Sequence, residues 1–544
     1  MLAQKLSGGV EGPRQRQNGP GVSLSALILI CLCLSALHLA CSSAPSDLRS
    51  MVPGDALVYL ESNDLSATLG AVIAGKAFAE ISPSKPDLSA LRGVQAAVAV
   101  TGFEMSEQQV TDENSVGRIR PHFVAVADTH AWRWQTMRFA EDQLGEFVNK
   151  VYGGGVDLDV SDKHDGKFFT WTANDGRKAF ALVQGSIIYF ANDESSIEKC
   201  LAVKRGEADG MNKNTKIPPP KPDSIASGYV SPDGILQIAN LVGLTMAAGS
   251  DEENEVKSFI ARIVPPLLQR SVTEVNWMSS AANGKIEDTY DIGLAPDVAS
   301  VLSETLAGAA APDNSLAAYI APDALSATIY NLRDPQVAWR SLLLLAQKQS
   351  DAVAGKILAE FSGALFEPYG IRDPEMFLSS VAGNIITARF DEEGDDLVVV
   401  ASVKDATKAR SSIDPKLTPM PNAAVGEVYK TPDGDTEVVF IDGKLILGDP
   451  AAVEKCLDAK RSGIGFVNNE LVADMPSRKG IVVTAGKDGT SAAKVVEMMA
   501  GKPDRTAATG YYVETNLSKG VLERRTTSDL GLIGAIIVQL AGEE

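Results

Sequence analysis

Residues 193–205 read DESSIEKCLAVKR, and residues 449–461 read DPAAVEKCLDAKR. At one fixed offset they share Asp193/Asp449, Glu198/Glu454, Lys199/Lys455, Cys200/Cys456, Leu201/Leu457, Lys204/Lys460 and Arg205/Arg461. Average amino-acid usage gives about one chance match over such a window, so the pair is read as one element of an internal duplication. Each copy has the pattern of a capped amphipathic helix. Asp193 and Asp449 suit an N-cap, where a side-chain oxygen accepts an orphan backbone N–H. Pro450 takes the first helical position, where a missing N–H costs nothing. Ile197, Cys200 and Leu201 fall at i, i+3, i+4, as do Val453, Cys456 and Leu457, and each trio makes one apolar face. The two cysteines are then small buried apolar residues. A Cys200–Cys456 disulfide between the copies is the alternative.

The rest of the chain repeats around this helix. VPGDALVYL at 52–60 and APDALSATIY at 321–330 each read as a tight turn and a strand. Asp64 and Asp334-Pro335 each start a helix. Strands at 96–100 and 123–127 correspond to strands at 384–390 and 397–401. Asn174-Asp175-Gly176 and Asn283-Gly284 are turn signals between strands. The polar segment 104–121 is expected to be an exposed loop, cut to DEEGDD at 391–396. A long helix is expected over 128–151, with His130 in its first turn. The apolar stretch 531–542 is too short to span a bilayer and reads as a buried helix. The fold class is α+β: two tandem homologous halves, each a mixed, mostly antiparallel sheet with hairpins and packed helices. The expected boundaries are 1–42 for a signal peptide or membrane anchor, 43–51 for a tether, 52–312 for the first repeat and 313–544 for the second.

A net charge of −20 over 544 residues speaks against nucleic-acid binding through phosphate neutralisation. Of five cysteines, Cys31, Cys33 and Cys41 lie in the N-terminal apolar segment, leaving two for the body. Such a body does not depend on a disulfide framework.

Residues 1–21 carry Lys5, Arg14 and Arg16, and residues 22–41 read VSLSALILICLCLSALHLAC. A basic region followed by an apolar one is the layout of a secretory signal. The end of that stretch, Leu39-Ala40-Cys41-Ser42-Ser43, resembles a bacterial lipoprotein signal, with His38 where that pattern usually has Leu. The resemblance implies lipidation at Cys41. Cleavage after Ser42, or retention as an uncut anchor of about bilayer length, are the other two fates. All three deliver the body outside the cytoplasm.

Three features of the body resemble an uncharacterised family of bacterial exported proteins, the domain of unknown function 3352. They are PGDALVYL at 53–60 with its echo PDAL at 322–325, GIRDP at 370–374 followed by Phe377-Leu378 and Gly383-Asn384, and the hairpin-plus-helix unit ending in EKCL. The resemblance covers most of residues 50–465 and implies no activity, substrate or catalytic residue.

Motifs for chemistry are sparse. His122, His130 and His164 have no second ligand at metal spacing. The run Asp157, Asp159, Asp162, Asp165 lacks the Gly at six and Glu at twelve of a calcium loop, having Asp162 and Phe168 there, and its alternation fits a strand. The glycines at 153–155 follow a helix rather than precede one, and so do not cradle phosphate. No catalytic, cofactor-binding or metal residue is expected. Trp132 and Trp134 flank Arg133 two residues apart, on different sides of the expected helix. One is expected in the core and the other on an interaction surface. The expected function is that of an exported, membrane-anchored cell-envelope lipoprotein. It would act as a non-enzymatic interaction module with an envelope protein partner. The alternatives are a small-molecule or peptide binder with a cleft between the halves, and a hydrolase with a dispersed site.

Overall fold

The first half contributes ten strands: β1 (Val58–Ser62), β2 (Gln95–Gln109), β3 (Ser115–Asp128), β4 (Asp157–Lys163), β5 (Gly166–Thr172), β6 (Lys178–Gln184), β7 (Ile187–Ala191), β8 (Ser224–Val230), β9 (Val272–Ala282) and β10 (Lys285–Leu294). The second contributes β11 (Ser326–Asn331), β12 (Val381–Arg389), β13 (Leu397–Val403), β14 (Thr418–Pro419), β15 (Glu427–Lys430), β16 (Glu437–Ile441), β17 (Lys444–Gly448), β18 (Val482–Asp488), β19 (Thr509–Ser518) and β20 (Val521–Ser528). The computed structural model describes residues 46–109, 115–248, 255–306, 308, 315–350, 355–356, 362–391, 396–420, 426–463, 475, 478–488, 491–503, 505 and 507–540. The expected signal segment, its Cys41 and most of the two acidic runs at 251–255 and 391–396 lie outside the described residues.

The strands pair in the same order in both halves. In the first the order is β4-β5-β6-β7-β3-β2-β1-β8-β9-β10. In the second it is β14-β15-β16-β17-β13-β12-β11-β18-β19-β20. β10 then pairs with β20, so all twenty strands form one antiparallel sheet. The fold is therefore α+β, and the body from Asp47 onward is one compact unit. The junction register is symmetric. Asp288 faces Thr526 and Tyr290 faces Arg524, while Ile286 faces Ser528 and Ile292 faces Leu522. Exchanging the two hairpins returns the same set of pairs.

The repeated helices cover one face of this sheet. Glu194–Lys204 is capped by Asp193, which accepts from the Ser196 N–H, and Pro450–Ser462 is capped by Asp449, which accepts from Ala451 and Ala452. Cys200 packs with Ile197, Leu201, Tyr59 and Val124. Cys456 packs with Val453, Leu457, Ile329 and Ile386 in a separate core. Both thiols are free and buried. On the opposite face the first helices of each half reach across to the other half. Leu65–Ile73 and Lys76–Ile81 pack through Val72, Phe78 and Ile81 on Val495, Val496 and Leu530. Reciprocally, Leu345 of Pro335–Gln349 packs on Val298 and Leu302 of Pro296–Thr305.

Several expectations are corrected. Over its described residues, 104–109 and 115–121, the polar segment is not a loop. Its backbone prolongs β2 and β3 into a two-stranded arm, pairing Glu104 with Arg120 and Gln109 with Ser115. A polar sequence gives no hydrophobic signal from which to read a strand. The expected helix over 128–151 begins only at Arg133 and runs as Arg133–Phe139, a π-type turn Ala140–Leu144, and Gly145–Val151. Asp128 ends β3, and His130 sits in the turn between with φ of +50° rather than in a helix. Asp157, Asp159 and Asp162 lie on β4 at the edge of the sheet, exposed along its whole length, and Asp165 lies in the turn that follows. Charges on such an edge discourage further strand addition.

Candidate functional site

Side chains alternate across a strand, so the sheet of the second half has two distinct faces. Ile329, Ile386, Val483 and Ala485 point to the repeated helix. Their neighbours point the other way. Across four adjacent strands Ile385, Tyr330, Val482 and Thr515 stand in one row, each the register partner of the next. This row floors a cavity of about 440 Å³.

Its walls are helical. Asp334 caps Pro335–Gln349 through the N–H groups of Gln336 and Val337, each at 3.1 Å. That helix brings Ala338, Trp339 and Leu342 to the cavity. Asp373 caps Pro374–Ser380 through the Met376 N–H at 2.9 Å and sets Phe377 and Leu378 opposite. The turn before it is fixed by Gly370, at φ +69°, where a Cβ would come within 2.7 Å of Leu417. Phe366 fills the corner, with its ring 5.2 Å from Trp339 and 6.3 Å from Phe377. Arg340 and Glu375 tie the two helices together, with Nε to Oε1 at 3.0 Å. Leu306 closes the far side. The described lining carries no charged side chain. Its polar groups are Thr387, Thr515, Asn516, the hydroxyls of Tyr330 and Tyr369, and the Trp339 indole. At the mouth Leu342 is 43% and Leu365 58% exposed. Exposed apolar side chains at the rim of an apolar cavity are a feature common to surfaces that bind apolar groups.

A second cavity of about 500 Å³ lies on the same face, at the junction of the halves. Tyr290 and Asp288 from β10, Tyr511 from β19, and Arg524 and Thr526 from β20 line it, with Gly531–Leu540 alongside. Its chemistry is mixed. Asp288 is buried and accepts from the Trp277 Nε1–H at 2.9 Å and the Leu532 N–H at 2.8 Å. Burial holds its carboxyl above the ordinary range against the pull of those hydrogen bonds. Burial likewise pushes the Tyr290 phenol up, and the Asp288 charge adds to it.

The sites expected from sequence lie elsewhere. Trp132 and Trp134 are 75% and 64% exposed, so neither is a core residue. Trp132 is the N-cap position, in extended conformation, with its N–H donating to Gln135 Oε1 at 3.1 Å. The pair therefore straddles a helix start and does not share a helix whose two sides differ in burial. Arg133, between them, is also exposed. Each described histidine lies near a carboxylate: His122 with Glu104 and Asp193, His130 with Asp128, and His164 with Glu198. None of the three lines either cavity. Among the described residues no cluster of three or more His, Cys, Asp or Glu is placed to hold a metal. No helix of the described residues is long and apolar enough to cross a membrane.

No family model matches the chain, and no curated protein matches it. Crystal structures of the protein TP0453 are similar to parts of it. Crystal form I aligns at 9% identity over 47% of this chain and 81% of that one, with a TM-score of 0.24. Crystal form IV aligns at 12% identity over 49% and 87%, with a TM-score of 0.23. A likeness at this level carries no argument about fold or function.

The apolar cavity was not foreseen. Its one sequence signal is the run Leu342-Leu343-Leu344-Leu345. A helix apolar beyond a single stripe has more than one face to cover.

Proposed function

We propose that this chain is an exported, membrane-anchored cell-envelope protein whose body binds the alkyl chain of a small molecule without transforming it. The observation that carries the reading is the cavity between Pro335–Gln349, Pro374–Ser380 and the sheet row Ile385–Tyr330–Val482–Thr515. Its volume of about 440 Å³ falls in the range of small-molecule sites. Each methylene buried there contributes about 0.8 kcal/mol. A chain of about ten carbons thus gains about 8 kcal/mol, enough to offset the 4 kcal/mol or more that association costs at the low end. The apolar segment at 22–41 supports export and anchoring, with Cys41 as the lipidated residue.

The test is equilibrium binding of hexadecanol to the purified full chain and to Thr387→Trp. Thr387 is half-buried on the cavity floor, and tryptophan is at home in a strand. Binding that is saturable in the wild type and lost in the variant supports the reading. Equal binding by both contradicts it.

A second reading is an interaction module for an envelope protein, and the exposed Trp132-Arg133-Trp134 surface favours it. Reproducible capture of one partner by the wild type, lost in a Trp132→Ala/Trp134→Ala variant, would support it. Capture unchanged by the variant would remove that surface from consideration.

A further inference from the structure

The two cavities share a floor. Thr515 lines the apolar cavity and Arg524 the polar one, and these two residues are register partners on β19 and β20. Leu522 and Ile292 form a second such pair across β20 and β10, again one from each cavity. Partners across adjacent strands have Cα atoms about 4.5–5.5 Å apart. An apolar ligand lying along the row from Ile385 to Thr515 therefore ends beside Arg524.

Arg524 contrasts with its neighbour. Arg525, on the other face, pairs with Glu523 and Glu287. Among the described residues no carboxylate is paired with Arg524, which is exposed on the cavity face. Directly opposite stands Tyr290, and Thr526 follows it along β20 on the same face. A guanidinium with hydroxyl groups around it is suited to an oxyanion.

The two acidic residues of this cavity are otherwise engaged. Asp288 is held by Trp277 and the Leu532 amide. Asp488 holds both the N–H and the hydroxyl of Ser491. It stands six residues along β18 from Val482, the register partner of Thr515, and so about 20 Å from the shared edge.

We propose that the ligand is an acidic amphiphile: an acyl or alkyl chain in the apolar cavity, with its carboxylate or phosphate bound by Arg524 in the adjoining one. This rests on the apolar-ligand reading above and adds the head group to it.

The experiment compares palmitate, hexadecyl phosphate and hexadecanol, three probes with one chain length, on the full chain. The wild type is expected to prefer at least one of the two anions over the alcohol by about tenfold or more. Whichever anion is preferred tells a fatty-acid head group from a phosphate one. Arg524→Gln is expected to bring that preference close to one, and Arg524→Lys to retain part of it. A wild type with no preference, or a preference that survives Arg524→Gln, overturns the head-group assignment while leaving alcohol binding, and so the apolar site, standing. Hexadecanol binding that is absent or that persists in Thr387→Trp overturns the apolar reading and this inference with it.

Discussion

The carboxylate of Asp288 accepts a hydrogen bond of 2.8 Å from the backbone N–H of Leu532, a residue 244 positions further on. A strand of the first half thereby caps the last helix of the second, at the seam where β10 meets β20. Replacing Asp288 by Ala leaves the buried Trp277 Nε1–H and the half-buried Leu532 N–H without this acceptor. A loss of about 3 kcal/mol in unfolding free energy is expected, to be measured by denaturant titration. The carboxyl lies above its ordinary value of 3.8 in the folded chain. A raised acid favours folding when protonated and loses that contribution as pH rises through the folded-state value. The stability of the wild type relative to Asp288→Asn should therefore fall over the interval in which pH rises above about 4. A difference that grows over that interval would contradict the assignment.

Cys200 and Cys456 lie in separate cores, and burial pushes each thiol up to about 12. The thiolate is the reactive form. Neither cysteine should be modified by iodoacetamide at neutral pH in the folded chain, and both should be modified in denaturant. A disulfide linking the two after oxidation would contradict their placement.

Gly383 lies where β12 slips its register against β13, and a Cβ there would come within 1.9 Å of the Leu332 carbonyl oxygen. Gly383→Ala forces the backbone of β12 away from the segment that leads into Pro335–Gln349. A loss of about 2–4 kcal/mol is expected from overpacking, with weaker hexadecanol binding because Ile385 and Thr387 move. A thermal melt identical to the wild type would contradict the contact.

Trp132 and Trp134 are exposed on either side of a helix start. Replacing both by Ala should change unfolding free energy by no more than about 0.5 kcal/mol per site. It should also remove most of the tryptophan emission that iodide quenches, since Trp171 and Trp277 are buried and Trp339 is half-buried. A loss of several kcal/mol would return one of them to the core.

Local chemistry was legible in the sequence. Asp193, Asp449, Asp334 and Asp64 each cap the helix that follows them. The Asn283-Gly284 turn closes its hairpin with both residues at positive φ. The repeated helix occurs once beside each set of ten strands, and the strands pair in the same order in each set. What joins them was not legible. The junction depends on Asp288, Tyr290, Arg524 and Thr526, polar residues on hairpins whose partner strand no periodicity identifies. The arm over 104–121 was missed because its polar sequence lacks the apolar alternation by which a strand is read. The cavity was missed because Leu306, Tyr330, Phe377, Val482 and Leu517 come from five separate segments. Each reads locally as ordinary core, and only the fold reveals the space that the described residues leave among them.

The most direct measurement is mass spectrometry of the small molecules extracted from the full chain and from Thr387→Trp, each purified from the membrane fraction. About one alkyl-chain molecule per wild-type chain, absent from the variant, is the expected result. No such molecule in either, together with no hexadecanol binding, would contradict the assignment of this cavity as a ligand site.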